Sequence, residues 1–282
     1  MLEITSLCKE YKGFRLDDIS FRLPKGFIMG LVGKNGAGKS TTIKSIMNML
    51  NFQGEILING CDNILHEKQV KQGVGIVLDN PFFPIIFTLE QVEKYVGAFY
   101  ENWDRDTYYK LLHKFGLLPK KKVSQLSRGQ SVKLQLAVAL SHKARLLVLD
   151  EPTSGLDPVA RDELMDILME YIQDSDNSIL FSTHISTDLE KIADYVTVLS
   201  NGKVFYTGEK DILMEKYIMI KGDYKNVSGE LEKNLIGIRR YGESFEAMIQ
   251  TDKYVLSDKD VFQVENAKID DILIYAERST PL

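Results

Sequence analysis
The run Gly33-Lys34-Asn35-Gly36-Ala37-Gly38-Lys39-Ser40 matches the pattern G-x-x-x-x-G-K-[ST] at every position. Its chemistry is the grip on a nucleoside triphosphate. Gly33, Gly36 and Gly38 let the backbone N–H groups around Asn35 and Ala37 turn toward phosphate oxygens. Lys39 reaches the β and γ phosphates, the Ser40 hydroxyl can ligate Mg²⁺, and Thr41 follows as the next candidate contact. A second chemical group closes the apolar run Leu146-Leu147-Val148-Leu149, where Asp150 and Glu151 stand side by side. Two carboxylates at the carboxyl end of a buried strand lie where doubly wound folds bind ligands. Asp150 can support Mg²⁺, commonly through its water shell, and Glu151 can polarise the water that attacks the γ phosphate.

These groups need elements to hold them. Phe27 to Val32 is an apolar run of strand length, and Thr41 to Leu50 has helical apolar spacing, so strand, loop and helix follow in turn. A helix that starts there aims its unpaired N–H groups and its dipole at the anion. Upstream, Leu2 to Leu23 reads as strands with a turn at Lys12-Gly13. Glu55 to Ile58 and Val74 to Leu78 are further strands, the second broken by Asn80-Pro81. Leu89 to Tyr100, Thr107 to Phe115 and Gly129 to Leu140 are helical in period, which makes residues 85–145 a helical insert.

Past Asp150, helices Val159 to Ile172 and Thr187 to Ile192 alternate with strands Ser178 to Ser182 and Tyr195 to Leu199. That order implies a parallel sheet covered on both faces. Asn201-Gly202 is a hairpin signal before the strand Lys203 to Tyr206, and a helix from Asp211 to Lys216 closes a domain of residues 1–216. Beyond it, Tyr217 to Ile220, Phe245 to Ile249 and a terminal helix from Asn266 to Ala276 describe a small α+β appendage, residues 217–282, with no chemical motif.

Composition narrows the partners. A formal net charge of −5 argues against broad attraction to nucleic acid, and the cluster Lys120-Lys121-Lys122 with Arg128 and Lys133 reads as a solvated face. Cys8 and Cys61 are isolated, without the spacing of a disulfide framework or zinc site, which fits a reducing cytosol. The N-terminus lacks a basic start followed by an apolar signal core, and no apolar stretch approaches the ~18 to 20 residues that span a bilayer. The expectation is a chain soluble by itself.

A phosphate loop alone suits kinases, GTPases, helicases and transport ATPases, so the remaining motifs must discriminate. Leu126-Ser127-Arg128-Gly129-Gln130 resembles the LSGGQ signature of the ATP-binding-cassette family, with Arg in place of the first Gly. Pro152-Thr153-Ser154-Gly155-Leu156-Asp157 and then Phe181-Ser182-Thr183-His184 match the family's D-loop and switch histidine in order and approximate spacing. Each also has a plain structural reading: Ser127 can cap the next helix, Asp157-Pro158 can start another, and His184 can be a satisfied core residue.

The resemblance covers residues 1–216 approximately. It implies an α/β fold: a P-loop NTPase core with an antiparallel β subdomain and a helical insert, to which the α+β appendage is added. ATP and Mg²⁺ are the implied cofactors, with Glu151 and His184 catalytic, and Tyr11 sits where the family stacks an aromatic on adenine. Tyrosine would stack on guanine as well, so the preference for ATP comes mainly from the resemblance. The resemblance further implies a head-to-tail homodimer or heterodimer with a second such ATPase. Each ATP then lies between one phosphate loop and the partner's Ser127, Gly129 and Gln130, with Asp157 near the same interface, and loss of the γ phosphate reopens it.

The chain also departs from the family pattern. Asp79 stands where the family usually places a Gln that offers an amide oxygen to Mg²⁺; a carboxylate still supplies oxygen, and Asn80 competes for the same assignment. Pro81-Phe82-Phe83-Pro84-Ile85-Ile86-Phe87 is apolar for a loop beside such a site. It either packs between core and insert or lines a groove for a cytoplasmic helix of a membrane subunit.

The resemblance is closest to bacterial ATPase subunits of the ABC-2, antibiotic-exporter-like group. It implies an exporter ATPase, peripheral at the inner face of the membrane, that drives separately encoded transmembrane permease chains and takes no nucleic acid as partner. The alternatives are a soluble cassette ATPase switching a macromolecular partner, and a kinase that would leave Leu126 to Gln130 and His184 without a purpose.

Overall fold
The computed structural model describes residues 1–79, 82–253 and 261–279. Strands β1 (Leu2–Tyr11) and β2 (Phe14–Leu23) form an antiparallel hairpin whose alternate side chains are apolar and buried, including Leu2, Ile4, Leu16, Ile19, Phe21 and Leu23. The chain then enters β3 (Ile28–Val32), the phosphate loop and helix α1 (Lys39–Ile46). Strands β4 (Gln53–Ile58) and β5 (Cys61–Asp62) return to the hairpin, giving a four-stranded antiparallel sheet in the order β2-β1-β4-β5. Neither β5 nor the short helix α2 (Glu67–Gln72) is legible in the sequence, because a two-residue strand and a six-residue helix are too short to show a period.

Strand β6 (Val74–Val77) leads to the helical insert, built from α3 (Leu89–Val96), α4 (Arg105–Lys114) and α5 (Arg128–Ser141). Their starts follow from capping side chains. Thr88 forms a capping box with Gln91, Asp104 accepts the Thr107 N–H at 3.0 Å, and Ser127 forms a capping box with Gln130. These caps start α4 and α5 before the predicted Thr107 and Gly129. After α3 the chain tightens into a 3₁₀ turn, Gly97–Phe99, so the predicted helix to Tyr100 is not a single α-helix. A Cβ on Gly97 would lie 2.6 Å from the Trp103 ring, which packs there.

Strand β7 (Leu146–Asp150), helix α6 (Pro158–Tyr171), strand β8 (Ser178–Thr183), helix α7 (Ser186–Ile192) and strand β9 (Tyr195–Ser200) complete the parallel part of a six-stranded sheet. Its order is β10-β9-β3-β8-β7-β6, with the edge strand β10 (Lys203–Glu209) antiparallel. Asn201 and Gly202 both adopt positive φ, 47° and 76°, as a type I′ hairpin turn requires.

The fully buried strands feed two cores because successive side chains point to opposite faces. Met29, Leu31, Leu146, Val148 and Leu180 pack toward the antiparallel sheet and α1. Ile28, Val32, Leu147, Leu149, Ile179 and Phe181 pack toward the insert and helices α6 and α7.

Helix α8 (Lys210–Lys216) passes into β11 (Tyr217–Asp223), which joins α9 (Gly229–Glu232), β12 (Ile236–Tyr241), β13 (Ser244–Gln250), β14 (Gln263–Asn266) and α10 (Ile269–Ser279). These strands form a separate antiparallel sheet in the order β12-β13-β11-β14. The predicted terminal helix from Asn266 is corrected here: Asn266 pairs with Ile218 as the end of β14, and α10 begins at Ile269. One face of this sheet has its own small core of Ile220, Leu231, Phe245, Ala247 and Ile249. The other is continuous with the main core, since Tyr217, Met219, Met248, Ile272 and Tyr275 pack in one cluster with Ile192 and Val196. Among the described residues, no helix is long and apolar enough to cross a membrane.

Candidate functional site
The phosphate loop rims an open cavity of about 500 Å³ at the carboxyl ends of β3 and β7. Its shape depends on missing side chains. Gly38, with φ +111°, is the residue before α1, and a Cβ there would lie 2.4 Å from Leu16 Cδ2. A Cβ on Gly33 would come within 2.4 Å of the Leu199 carbonyl oxygen. The loop residues Lys34, Asn35, Gly36, Gly38, Lys39, Ser40 and Thr41 line the cavity, faced by Asp79, Glu151, Ser154 and His184.

Lys39 is 5 % exposed, so its ammonium needs partners. It donates to the Gly33 carbonyl at 2.7 Å and the Lys34 carbonyl at 3.3 Å, and lies 3.2 Å from Glu151 Oε1. The other carboxylate oxygen of Glu151 is 2.6 Å from His184 Nδ1. Glu151 adopts φ +50°, a backbone region that a side-chain-bearing residue occupies at a cost, held here because its N–H donates to Ser182 Oγ at 2.9 Å. The same buried hydroxyl donates to Asp150 Oδ1 at 2.7 Å, which also accepts from Ser40 Oγ at 3.2 Å. Ser182 thus sets both carboxylates at once. In the sequence it stands out only as a neighbour of His184; its spacing two residues before that histidine, on a fully buried strand, is the signal that could have found it.

Ser40 and Asp79 line the cavity, and Asp150 accepts from the Ser40 hydroxyl, so all three are hard oxygen donors at or next to its wall. No group of three His, Cys, Asp or Glu side chains among the described residues forms a self-sufficient metal cage. That donor set fits Mg²⁺, which is held by one or two carboxylates together with substrate phosphates and water.

Other predicted residues are not brought into the cavity. Tyr11 stands across the β1–β2 hairpin from Phe14, with the Lys9 ammonium 5.3 Å from its ring centroid, and it is Phe14 that lines the cavity wall. Ser127, Gly129 and Gln130 lie at the start of α5. Ser127 Oγ accepts the Gln130 N–H at 3.3 Å, and Gln130 Oε1 accepts from Ser127 N–H at 3.2 Å and from Lys121 Nζ at 2.8 Å. Asp157 caps α6, accepting the Val159 and Ala160 N–H groups at 3.0 Å each. The structural readings of Ser127 and Asp157 therefore hold whatever else these residues do. His184, in contrast, is no core histidine: it is exposed and bound to Glu151.

Asp79 lines the cavity while its carboxylate pairs with the Arg128 guanidinium; its competitor Asn80 lies outside the described residues. Of the apolar loop that follows, Pro81 also lies outside them, Phe83 is buried against the Phe82 ring at 4.6 Å, and Phe87 packs on Tyr95 at 5.2 Å. Ile85 and Ile86 face solvent. The basic cluster is internally paired at Lys121 with Gln130, Arg128 with Asp79 and Lys133 with Glu163. The appendage also reaches the site, because Glu277 of α10 accepts from Ser200 Oγ at 3.1 Å and lies 3.8 Å from the Lys34 ammonium.

Comparison with known proteins agrees with this geometry. The family described as ABC transporter matches residues 16–154. The lantibiotic transport ATP-binding protein SrtF of Streptococcus pyogenes is 32% identical over 216 residues, 75% of this chain and 92% of that one. The bacitracin transport ATP-binding protein BcrA of Bacillus licheniformis is 30% identical over 212 residues, 72% of this chain and 68% of that one. A solved ATP-binding subunit of an ABC transporter superposes with a TM-score of 0.70 at 29% identity, covering 76% of this chain and 92% of that one. A phosphate loop facing Asp150, Glu151 and His184, on a fold and sequence shared with these proteins, makes the chain a member of the ABC transporter family, an ATP-binding and ATP-hydrolysing subunit.

Proposed function
We propose that this chain is the ATPase of an exporter, acting as a dimer around two ATP and driving separately encoded membrane permease chains. One observation carries the dimer: the phosphate loop, Glu151 and His184 share a cavity that Ser127, Gly129 and Gln130 do not line, although Arg128 between them pairs with Asp79 on its wall. A second copy, or a related ATPase, turned head to tail would bring its α5 N-terminus to the γ phosphate, where N–H groups and the helix dipole favour an anion.

Within one half of that site, Lys39 holds the β and γ phosphates after exchanging its contact with Glu151. Ser40, Asp150 and Asp79 would hold Mg²⁺, which when bound neutralises phosphate charge. Glu151 accepts the proton of the attacking water as the new O–P bond forms and the bond to the β-phosphate oxygen breaks, giving ADP and phosphate. His184 holds the Glu151 carboxylate from its other side. Phe14, and Tyr11 beside it, supply aromatic surface for the base.

Export is favoured by the similarity to lantibiotic and bacitracin transport proteins, and the exposed Ile85 and Ile86 are the candidate contact with a permease at the inner face of the membrane. The test is ATP-driven transport of a peptide antibiotic into inside-out vesicles carrying this chain and the permease encoded beside it. Co-purification with that permease and transport lost in Lys39→Ala are expected. ATPase activity that never co-purifies with a membrane protein would favour the soluble switch instead.

A further inference from the structure
Asp79 faces the nucleotide cavity, yet its carboxylate is already paired with Arg128, the first residue of α5. The arginine is seated rather than draped on the surface: a Cβ on Gly155 would lie 3.2 Å from Arg128 Cδ, so the turn after Glu151 leaves room for its stem. Two helical turns along α5, on the same face, the Gln135 side chain is 1 % exposed and binds the Leu78 backbone in both directions. The Leu78 N–H donates to Gln135 Oε1 at 2.9 Å, and Gln135 Nε2 donates to the Leu78 carbonyl at 3.1 Å. Residues 78 and 79 are thus tied to α5 twice, once by a buried neutral amide and once by a half-exposed ion pair.

We propose that Arg128 competes with Mg²⁺ for the Asp79 carboxylate. In the free chain the guanidinium is the counter-charge of Asp79 on a cavity wall that also carries Glu151. Metal binding takes that carboxylate, and the guanidinium is released at the first turn of α5, on the surface that meets the partner's nucleotide in the proposed dimer. The buried Gln135 amide keeps residue 78 in register while the charged contact is exchanged. Metal loading at one half-site therefore uncovers a cation for the phosphate of the other. The inference rests on the metal role proposed for Asp79 and on the head-to-tail dimer proposed for this chain.

The test measures Mn²⁺ binding, by electron paramagnetic resonance, to the full chain loaded with a non-hydrolysable ATP analogue. Arg128→Ala should tighten Mn²⁺ roughly two- to fivefold, the scale of a half-exposed ion pair. Arg128→Lys, which keeps the charge, should stay near wild type. In an Asp79→Asn background, Arg128→Ala should change nothing. Unchanged or weaker Mn²⁺ binding in Arg128→Ala overturns the competition, and so does an equal change in both Asp79 backgrounds. If Asp79→Asn alone leaves Mn²⁺ binding at the wild-type value, the metal-side reading of Asp79 fails, a result separable from failure of the competition.

Discussion

Replacing Glu151 by Gln tests the site at its centre, because the side chain touches two functional groups. Its oxygens lie 3.2 Å from Lys39 Nζ and 2.6 Å from His184 Nδ1, and neither Lys39 nor Glu151 is more than 16 % exposed. The amide keeps the shape and cannot take a proton. Loss of a general base should slow hydrolysis by about 10²- to 10⁴-fold, which is about 3 to 5 kcal/mol of barrier. Binding should move the other way. In the unliganded protein the substitution weakens a charge partner of a buried ammonium, which costs about 1 to 3 kcal/mol. Lys39 must give up that contact to reach phosphate in any case, so the cost falls on the free state and disappears on binding. ATP affinity should therefore rise roughly five- to hundredfold, the lower end applying if the carbonyl of the substituted amide retains the lysine. Titration with a fluorescent ATP analogue reads the affinity, and phosphate release reads the rate. Hydrolysis at the original rate refutes Glu151 as the base, and unchanged or weaker ATP binding refutes the exchange of partners at Lys39.

Three further outcomes are expected. Burial holds the His142 imidazole down to about 4, with its Nδ1 3.2 Å from the Gln72 carbonyl and its ring stacked 3.9 Å from Tyr100. Since that value lies below the unfolded one near 6.5, the unfolded chain binds more protons between them; the contribution is complete above pH 6.5 and lost as pH falls toward 4. It should amount to about 3 kcal/mol overall with about 2 gone by pH 5, so urea unfolding of His142→Asn should show a correspondingly smaller acid loss than wild type. Phe14→Ala should weaken ATP binding about two- to tenfold through lost aromatic contact, and Tyr11→Ala should do less; the reverse order in nucleotide titrations would restore Tyr11 as the base platform. Glu277→Ala should remove about 1 kcal/mol of stability, since the buried Ser200 hydroxyl loses its acceptor. The same change frees Lys34 toward the phosphates, and a lower rather than higher ATP affinity would refute that direction.

The parts legible in sequence are those fixed by local chemistry. The phosphate loop, Asp150, Glu151 and the apolar strands that carry them all act through short spacings, and Gly38, Lys39 and Glu151 stand in the cavity together. Helix starts are unevenly legible: Asp104 begins α4 ahead of its apolar period, whereas Ser127 is readable in the sequence as a cap and α5 starts only one residue before the expected Gly129. The apolar pattern after Asn266 reads as helix from that residue on, but pairing with Ile218 of β11 wins, a contact no local window contains. Phe14 and Tyr11 show the same limit at the site, since they are aromatics paired directly across one hairpin and share a face of it, so only the placement of the hairpin against the phosphate loop decides which of them lines the cavity. The link from Glu277 to Lys34 joins the last helix to the loop, and neither residue carries a motif that announces the other.

Three of these long-range contacts share one logic. Lys39 is paired with Glu151, Asp79 with Arg128 and Lys34 with Glu277, and in each case the cavity-facing charge already has an internal counter-charge. An unpaired charge would be costly at the buried Lys39 and much less so at the half-exposed Asp79 and Lys34, so the free protein neutralises its own site most firmly at Lys39. Nucleotide then replaces contacts rather than adding them, and the net binding energy is smaller than the sum of the new contacts. The partners that are displaced do not lie in one place: Glu151 turns to the attacking water, Arg128 belongs to the insert and Glu277 to the terminal helix. If metal takes Asp79 and phosphate takes Lys34, filling the cavity would free one tether in the insert, at Arg128, and one in the appendage, at Glu277, so a ligand would reach both regions without touching either.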